Sequence, residues 1–290
     1  LISIMSCNND VNKQLTEISK IIDDNPETAI QLLESINVEN LSSAQDKAEY
    51  SLLYTWARDK NHLFDKNDSL IDFAVKFFEQ KGIEDKAMRA YYYKAKILFN
   101  RDDYRNAIVN LLHAEELSAT SEDNYFRGKI NELFGDIYHM SCNLNEAITY
   151  RKKAVDSYKN SDRPLFYYYA VEKLASAYID HGDYHKGIDL LDNTDVQPML
   201  SDSIFMCMYN SDYMILHNSI GNYPKALQKL RESFQYLTEP MKPYMCYPEI
   251  AIVFLNNEMA DSAKIVLDYA MGGVVDNSSI NSRYYNALSK

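Results

Sequence analysis

Glycine and proline are scarce in this chain, 8 and 7 among 290 residues. Both interrupt regular backbone, glycine through its conformational entropy and proline through its fixed φ and missing donor. Their scarcity, with abundant Leu, Ala, Lys and Glu, excludes a loop-rich protein and fits an almost all-helical one. Long apolar runs are missing as well. No stretch of 18 apolar residues occurs, so no segment is long enough to cross a bilayer as a helix. Basic excess is absent too: 30 Lys and Arg against 42 Asp and Glu leave a net charge of −12. Phosphate binding needs a basic face, so no nucleic-acid partner is expected through this segment.

Catalytic signatures are also lacking. There is no Gly-rich phosphate loop, no His-Glu-x-x-His and no Cys-x-x-Cys. The histidines are scattered, and His181 and His185 flank a turn, so no metal site is expected. After Cys7, the cysteines Cys142, Cys207 and Cys246 are an odd number. Cys207 and Cys246 sit at comparable places in adjacent segments, yet buried free thiols are the expectation. No carboxylate pair stands out for acid/base work. The chain reads as a non-enzyme without cofactor.

What is present is a repeat. Ile130, Leu133, Phe134, Ile137 and Tyr138 recur at three- and four-residue spacing, the mark of an amphipathic helix. A polar break over 141–145 follows, then a second helix with Ala147, Ile148, Tyr150, Arg151, Ala154 and Tyr158. With Gly135 as position 8, Tyr138 is position 11, Ala147 position 20 and Ala154 position 27. Ala95, Leu98, Ala107 and Ala114 fall at those places upstream. Ala175, Tyr178 and Gly187 hold the first three downstream, and Ala251, Phe254, Ala263 and Ala270 all four. Met214, His217 and Ala226 make a weaker copy between. Position 15 is Asp102, Cys142, Gly182, Gly221 and Glu258, where the two glycines suit a left-handed residue ending the first helix. Asp103 and Asp183 then stand as N-caps of the second.

This pattern resembles the tetratricopeptide repeat (TPR), with small residues at 8, 20 and 27 and an aromatic at 11. The resemblance runs from about Val11 to Met271. The family's Trp at position 4 is replaced by Tyr91, Asn131, Val171, Asn210 and Tyr247, and the spacing of the copies is 37 to 40 residues rather than 34. The resemblance implies an all-α, right-handed superhelical solenoid of about seven helical pairs: a repeat array over 8–278 and, over 279–290, the first helix of a further, truncated repeat. Upstream of the clear copies, helices are expected over Val11–Ile22, from Pro26, and over Ala44–Asp59 and Ser69–Lys81. Leu52, Leu53, Trp56, Phe73, Ala74, Phe77 and Phe78 should face inward there. Most of the 24 tyrosines should pack between helices with the hydroxyl at the edge.

The stretch Leu1 to Cys7 is apolar, ends in a small residue and a cysteine, and precedes polar Asn8-Asn9-Asp10. It resembles the tail of a bacterial lipoprotein signal peptide with Ile4-Met5-Ser6-Cys7 as the lipobox. That implies cleavage before Cys7, acylation of Cys7, and a cell-envelope protein, periplasmic or surface-exposed, whose membrane contact is the lipid anchor. The other reading, a hydrophobic start packing on the first repeat, leaves the protein cytoplasmic.

In the TPR family the first helices line the concave face through positions 2, 5, 9, 12 and 13. Carried over, these are Arg89, Tyr92, Lys96, Phe99 and Asn100; Lys129, Glu132, Asp136, His139 and Met140; and Tyr169, Glu172, Ser176, Ile179 and Asp180. The Lys and Asn clamp of the chaperone-tail-binding members is absent, because Tyr92, Glu132 and Glu172 stand at position 5 and Lys96, Asp136 and Ser176 at position 9. Mixed aromatic and charged residues suit an extended peptide, with Tyr92 and Tyr169 as open anchors. The expected function is a binding or scaffold module for a peptide, protein segment or small ligand. The sensor half of a longer regulator, and a nutrient-binding lipoprotein of the glycan-uptake type, are the alternatives.

Overall fold

In the computed structural model, residues 2–41, 43–63 and 68–271 are described; the further first helix expected over 279–290 lies outside them. Among the described residues there are fourteen α-helices, three short 3-10 turns and no strand. The chain is an all-α array of TPR-like helical pairs, and fourteen helices make the seven pairs that the repeat spacing implies. It divides into two compact units, Leu1–Asn143 and Leu144–Lys290. The first holds α1 (Ile2–Ile21), α2 (Pro26–Glu34), α3 (Ala44–Lys60), α4 (Ser69–Lys81), α5 (Glu84–Phe99), α6 (Tyr104–Ser118) and α7 (Asn124–Met140). The second holds α8 (Leu144–Lys159), α9 (Leu165–His181), α10 (Tyr184–Asp192), α11 (Ser203–Ser219), α12 (Tyr223–Gln235), α13 (Tyr247–Asn256) and α14 (Ala260–Met271). Within each unit successive helices pack on one another, and α11 also touches α9 and α13. First helices therefore lie side by side.

The period is written into the backbone at the end of each first helix. His62, Asp102, Cys142, Gly182, Gly221 and Glu258 all adopt positive φ, between 56° and 85°. At each, the following residue donates its N–H to a carbonyl five residues back: Asp103 to Leu98, Asn143 to Tyr138, Asp183 to Tyr178, Asn222 to His217 and Met259 to Phe254, at 2.8–2.9 Å. Leu63 does the same to Arg58. These are Schellman closures, which satisfy carbonyls that the helix end would leave bare. Position 15 is thus left-handed whether or not it is glycine, and only Gly182 and Gly221 suit it without steric cost.

Among the second helices, α2 and α6 start on a side-chain cap, Asn25 and Asp103. The Asp103 carboxylate accepts from the Asn106 N–H at 3.3 Å, as expected. Asp183 departs from the expectation: it sits at the N-cap without capping, because its carboxylate is drawn to Lys186 at 2.6 Å and His181 at 3.3 Å. Pro26, Pro224 and Pro248 occupy first turns, where their missing N–H costs nothing.

Small residues do what the repeat requires. Ala95, Ala107, Ala114, Ala147, Ala175 and Ala226 are fully buried, as are Ala29 and Ala74 upstream. Gly187 shows why: a β-carbon there would fall 2.7 Å from Leu216 Cδ2, so α10 lies close enough to α11 that any larger residue would force the Leu216 side chain to move. Ala270, at position 27 of the last described helix, is exposed. Phe73 also departs from expectation: it is exposed, stacked on Phe77 at 6.5 Å, while Phe78 alone of the three fills the core. Tyrosines pack as expected where they are buried. Tyr93 and Tyr158 are wholly enclosed, and the Tyr209 hydroxyl donates to the Leu191 carbonyl at 2.8 Å.

Candidate functional site

In the first unit, residues expected to meet a ligand are largely held by the fold. Arg89 donates to Asp123 at 2.6 Å and Asp85 at 3.1 Å, and its guanidinium lies over the Phe126 ring at 4.6 Å. It borders a depression of about 320 Å³ that also meets Trp56, Glu49 and Asp85. Tyr92, expected to stand open, is instead buried, edge-on to Tyr93 and Phe126 at 5.0 Å. Its neighbour in the same layer is Lys129, whose ammonium lies 4.8 Å from the Tyr92 ring centre and donates to the Tyr93 hydroxyl at 3.2 Å. Burial among these rings lowers the Lys129 pKa to about 8, although Asp59 and Asp23 pull the other way. Burial and the nearby carboxylates push the Tyr92 and Tyr93 hydroxyls up. Lys96 sits over Phe99 at 5.6 Å and borders a cavity of about 20 Å³ with Asp59 and His62, room for a single water. Glu132, Asp136 and His139 are half-buried on α7, and Met140 is exposed.

In the second unit, Tyr169 is half-buried rather than open. Its hydroxyl donates to Asp202, the residue that caps α11 through the Phe205 N–H at 3.0 Å, and its ring meets Phe205 edge-on at 5.7 Å. Tyr169 therefore ties α9 to the start of α11. Glu172, one turn further on, is buried and lines an opening between α9, α11 and the start of α13.

That opening is a groove of about 740 Å³. From α9 it receives Glu172 and Ser176; from α11, Ile204, Cys207, Met208, Ser211, Asp212 and Ile215. The segment between α12 and α13 closes one side with Pro240, Met241, Met245 and Cys246, and Ile250 of α13 lies beneath. Ile204 and Met208 are 54% and 38% exposed, so two apolar side chains stand in the open at its mouth. The wall is soft and methionine-rich, a surface that adapts to the shape of what it holds.

The floor is polar. Glu172 and Asp212 are 6% and 9% exposed. Asp212 Oδ2 is shut off from solvent and has no hydrogen-bond partner. Burial first, then the charges of Glu172 and Asp180, push the Asp212 carboxyl well above the usual carboxylate range, and Arg151 opposes this. Arg151, itself buried, donates from Nη1 to the Lys173 carbonyl. Cys207 is buried and Cys246 exposed, and both are free thiols. Burial raises the Cys207 pKa to about 11 and also pushes Cys246 up, so neither is an activated nucleophile. Among the described residues no group of His, Cys, Asp and Glu is placed to hold a metal ion.

Sequence reasoning reached Glu172 and Ser176 but stopped one repeat short. Positions 2, 5 and 9 of the next copy are Met208, Ser211 and Ile215, all in the groove. Met214 at position 8 made that copy look weak, yet the same spacing rule names these residues. Asp212, at position 6, carries no such signal, because its burial depends on packing between helices.

No protein-family model matches the chain, and no curated protein sequence matches it. Solved structures do. RapI in its apo form aligns over 94% of this chain and 79% of its own, with a TM-score of 0.72 at 16% sequence identity. A Rap protein complexed with Competence and Sporulation Factor aligns over 97% and 77%, with a TM-score of 0.58 at 15% identity. The apo form of NprR, a quorum sensor from B. thuringiensis, aligns over 97% and 81%, with a TM-score of 0.66 at 14% identity; NprR has also been solved with its cognate peptide NprX, and that form gives 0.60. In fold, this chain is similar to the TPR-like helical-repeat proteins Rap and NprR.

Proposed function

We propose that this chain is a non-catalytic recognition module of the TPR family that holds an extended peptide in the groove of its second unit. The observation that carries this reading is the groove itself: about 740 Å³, walled by apolar side chains of α11 and the segment before α13, with two buried carboxyls at its floor. Its size lies in the range of ligand sites, and few polar groups amid apolar walls are what fix a ligand's orientation. Neighbours in fold lend support, since NprR is solved with its cognate peptide NprX and a Rap protein with Competence and Sporulation Factor. Of the residues expected from sequence, Glu172 belongs to this groove. The proposal thus moves from the face of α5 and α7 to that of α9, α11 and α13.

Among the alternatives, the sensor half of a longer regulator gains from NprR's being a quorum sensor. Envelope anchoring through an acylated Cys7 is proposed from the sequence; mass spectrometry of protein from the membrane fraction tests it, with a Cys7→Ala control. The peptide reading is tested by hexapeptide display selection on the immobilised chain, with Ile204→Arg as counter-target. Sequences enriched on the wild type and not on the variant are expected. Equal enrichment on both, or none on either, overturns the reading.

A further inference from the structure

We infer that two copies of this chain pair through the outward face of α6, the two helices running antiparallel about a two-fold axis. The face belongs to the first unit and is independent of the groove in the second. Arg105, Val109, Leu112 and Glu116 follow one another at four, three and four residues. At about 100° per residue they lie within an arc of about 60°, a single stripe about 16 Å long. Val109 and Leu112 are 48% and 49% exposed, and Arg105 and Glu116 at either end are exposed too. In the repeat register Val109 is position 22 and Leu112 position 25. The same two positions are Thr149 and Lys152 in α8, Asp189 and Asp192 in α10, and Gln228 and Arg231 in α12, all exposed. These places face solvent in copy after copy and are polar there, whereas α6 fills them with two apolar side chains. A partner that covers them gains what their exposure to water forgoes.

The charges name the partner. Read from its other end, the stripe is Glu, Leu, Val, Arg at the same spacing. An antiparallel second copy therefore sets Arg105 against the partner's Glu116, and Val109 against the partner's Leu112. The two-fold repeats both contacts, which is the self-complementarity an isologous interface requires. A parallel pair would instead oppose Arg105 to Arg105 and Glu116 to Glu116. The charges are also placed against their own helix. Arg105 sits in the first turn of α6 and Glu116 in the last, with no acid in the first turn and no base in the last. The helix dipole disfavours both placements, although the charge of Asp103 offsets the first in part. The ordinary order is seen in α4 and α8, with Asp72 and Glu146 early and Lys81 and Lys159 late. Across an antiparallel pair each misplaced charge meets its opposite, and the start of one helix meets the end of the other.

The test is sedimentation equilibrium of the whole chain over a concentration series, as wild type, Leu112→Glu, Arg105→Glu, Glu116→Arg and the double exchange of Arg105→Glu with Glu116→Arg. Melting curves establish that each variant folds. The double exchange gives α6 the ordinary charge order and should melt no lower than the wild type. The wild type should pass from monomer to dimer as concentration rises, and Leu112→Glu should weaken that equilibrium by at least about tenfold. Each single exchange sets like charges opposite one another twice per dimer and should weaken it about fivefold. The double exchange should return it to within about twofold of the wild type, a recovery that only coupled residues give. A chain that stays monomeric throughout overturns the inference. So does a dimer indifferent to Leu112→Glu, or a double exchange that pairs no better than either single one.

Discussion

Replacing Gly82, Gly182 and Gly221 by alanine, one at a time, isolates the cost of a left-handed helix end. Their φ values are +63°, +85° and +81°, and a β-carbon added at any of them meets nothing within 4 Å. Packing thus contributes nothing, and the loss comes from backbone sterics alone: about 1–2 kcal/mol per site for an L-residue in this region. In a chain of this length that is a fall in Tm of roughly 2–4 °C per kcal/mol. Asparagine tolerates the conformation, so Gly221→Asn should cost clearly less than Gly221→Ala. The reverse change has the opposite sign. Glu258 is exposed and held at φ 61°, so Glu258→Gly should gain about 0.5–1 kcal/mol, the steric relief exceeding the added freedom of the unfolded chain. Urea unfolding followed by circular dichroism reads all five proteins. Equal losses for Gly221→Ala and Gly221→Asn, or a loss for Glu258→Gly, would refute the claim that these turns set the repeat.

Tyr92→Ala removes a buried ring that Tyr93, Phe126 and Lys129 pack against, and should cost about 3–5 kcal/mol by denaturant midpoint; a loss under about 1 kcal/mol contradicts its place in the core. Lys129 has a folded pKa of about 8, below its unfolded value of about 10.4. Between the two the unfolded state binds more protons, so this residue's contribution to stability rises with pH through that window. Tyr92 and Tyr93 oppose it above about pH 10, so the comparison is made as Lys129→Met against wild type. The variant's relative advantage should shrink from pH 7 to pH 10, and a flat difference would count against a desolvated ammonium. Gly187→Val drives a branched side chain toward Leu216 and should lose about 1–3 kcal/mol by the same unfolding assay, as overpacking does; a neutral result would mean α10 and α11 sit further apart.

How much of this was legible in the sequence follows from what kind of physics each feature obeys. Alanine and glycine at positions 8, 20 and 27, Pro26 and Pro248 at helix starts, and Gly182 and Gly221 at turns act through local backbone and close approach, and the sequence displays them. Asp102, Cys142 and Glu258 adopt the left-handed turn because the helical closure around them demands it, not because of their own chemistry. Tyr92 shows the limit of a register rule: position 5 faces a ligand in the family pattern, but here its tyrosine is buried, edge-on to Tyr93 and Phe126. Phe73 is the converse, an aromatic whose stack on Phe77 stays outside. The groove was half legible. Glu172 and Ser176 came from the spacing, Met208, Ser211 and Ile215 lay one application further, and the buried state of Asp212 arises only when α8, α9 and α11 meet.

The central claim, that a peptide occupies the groove of the second unit, is tested most directly by nuclear magnetic resonance of the chain labelled at its methionine methyl groups, titrated with a display-selected peptide. Met208, Met214, Met241 and Met245 line the groove, whereas Met88 is buried in α5 and Met140 exposed at the end of α7. The account predicts saturable shifts at the four groove methyls and unmoved signals from Met88 and Met140. Shifts at Met140 with the groove methyls unmoved would contradict it and return the site to the first unit.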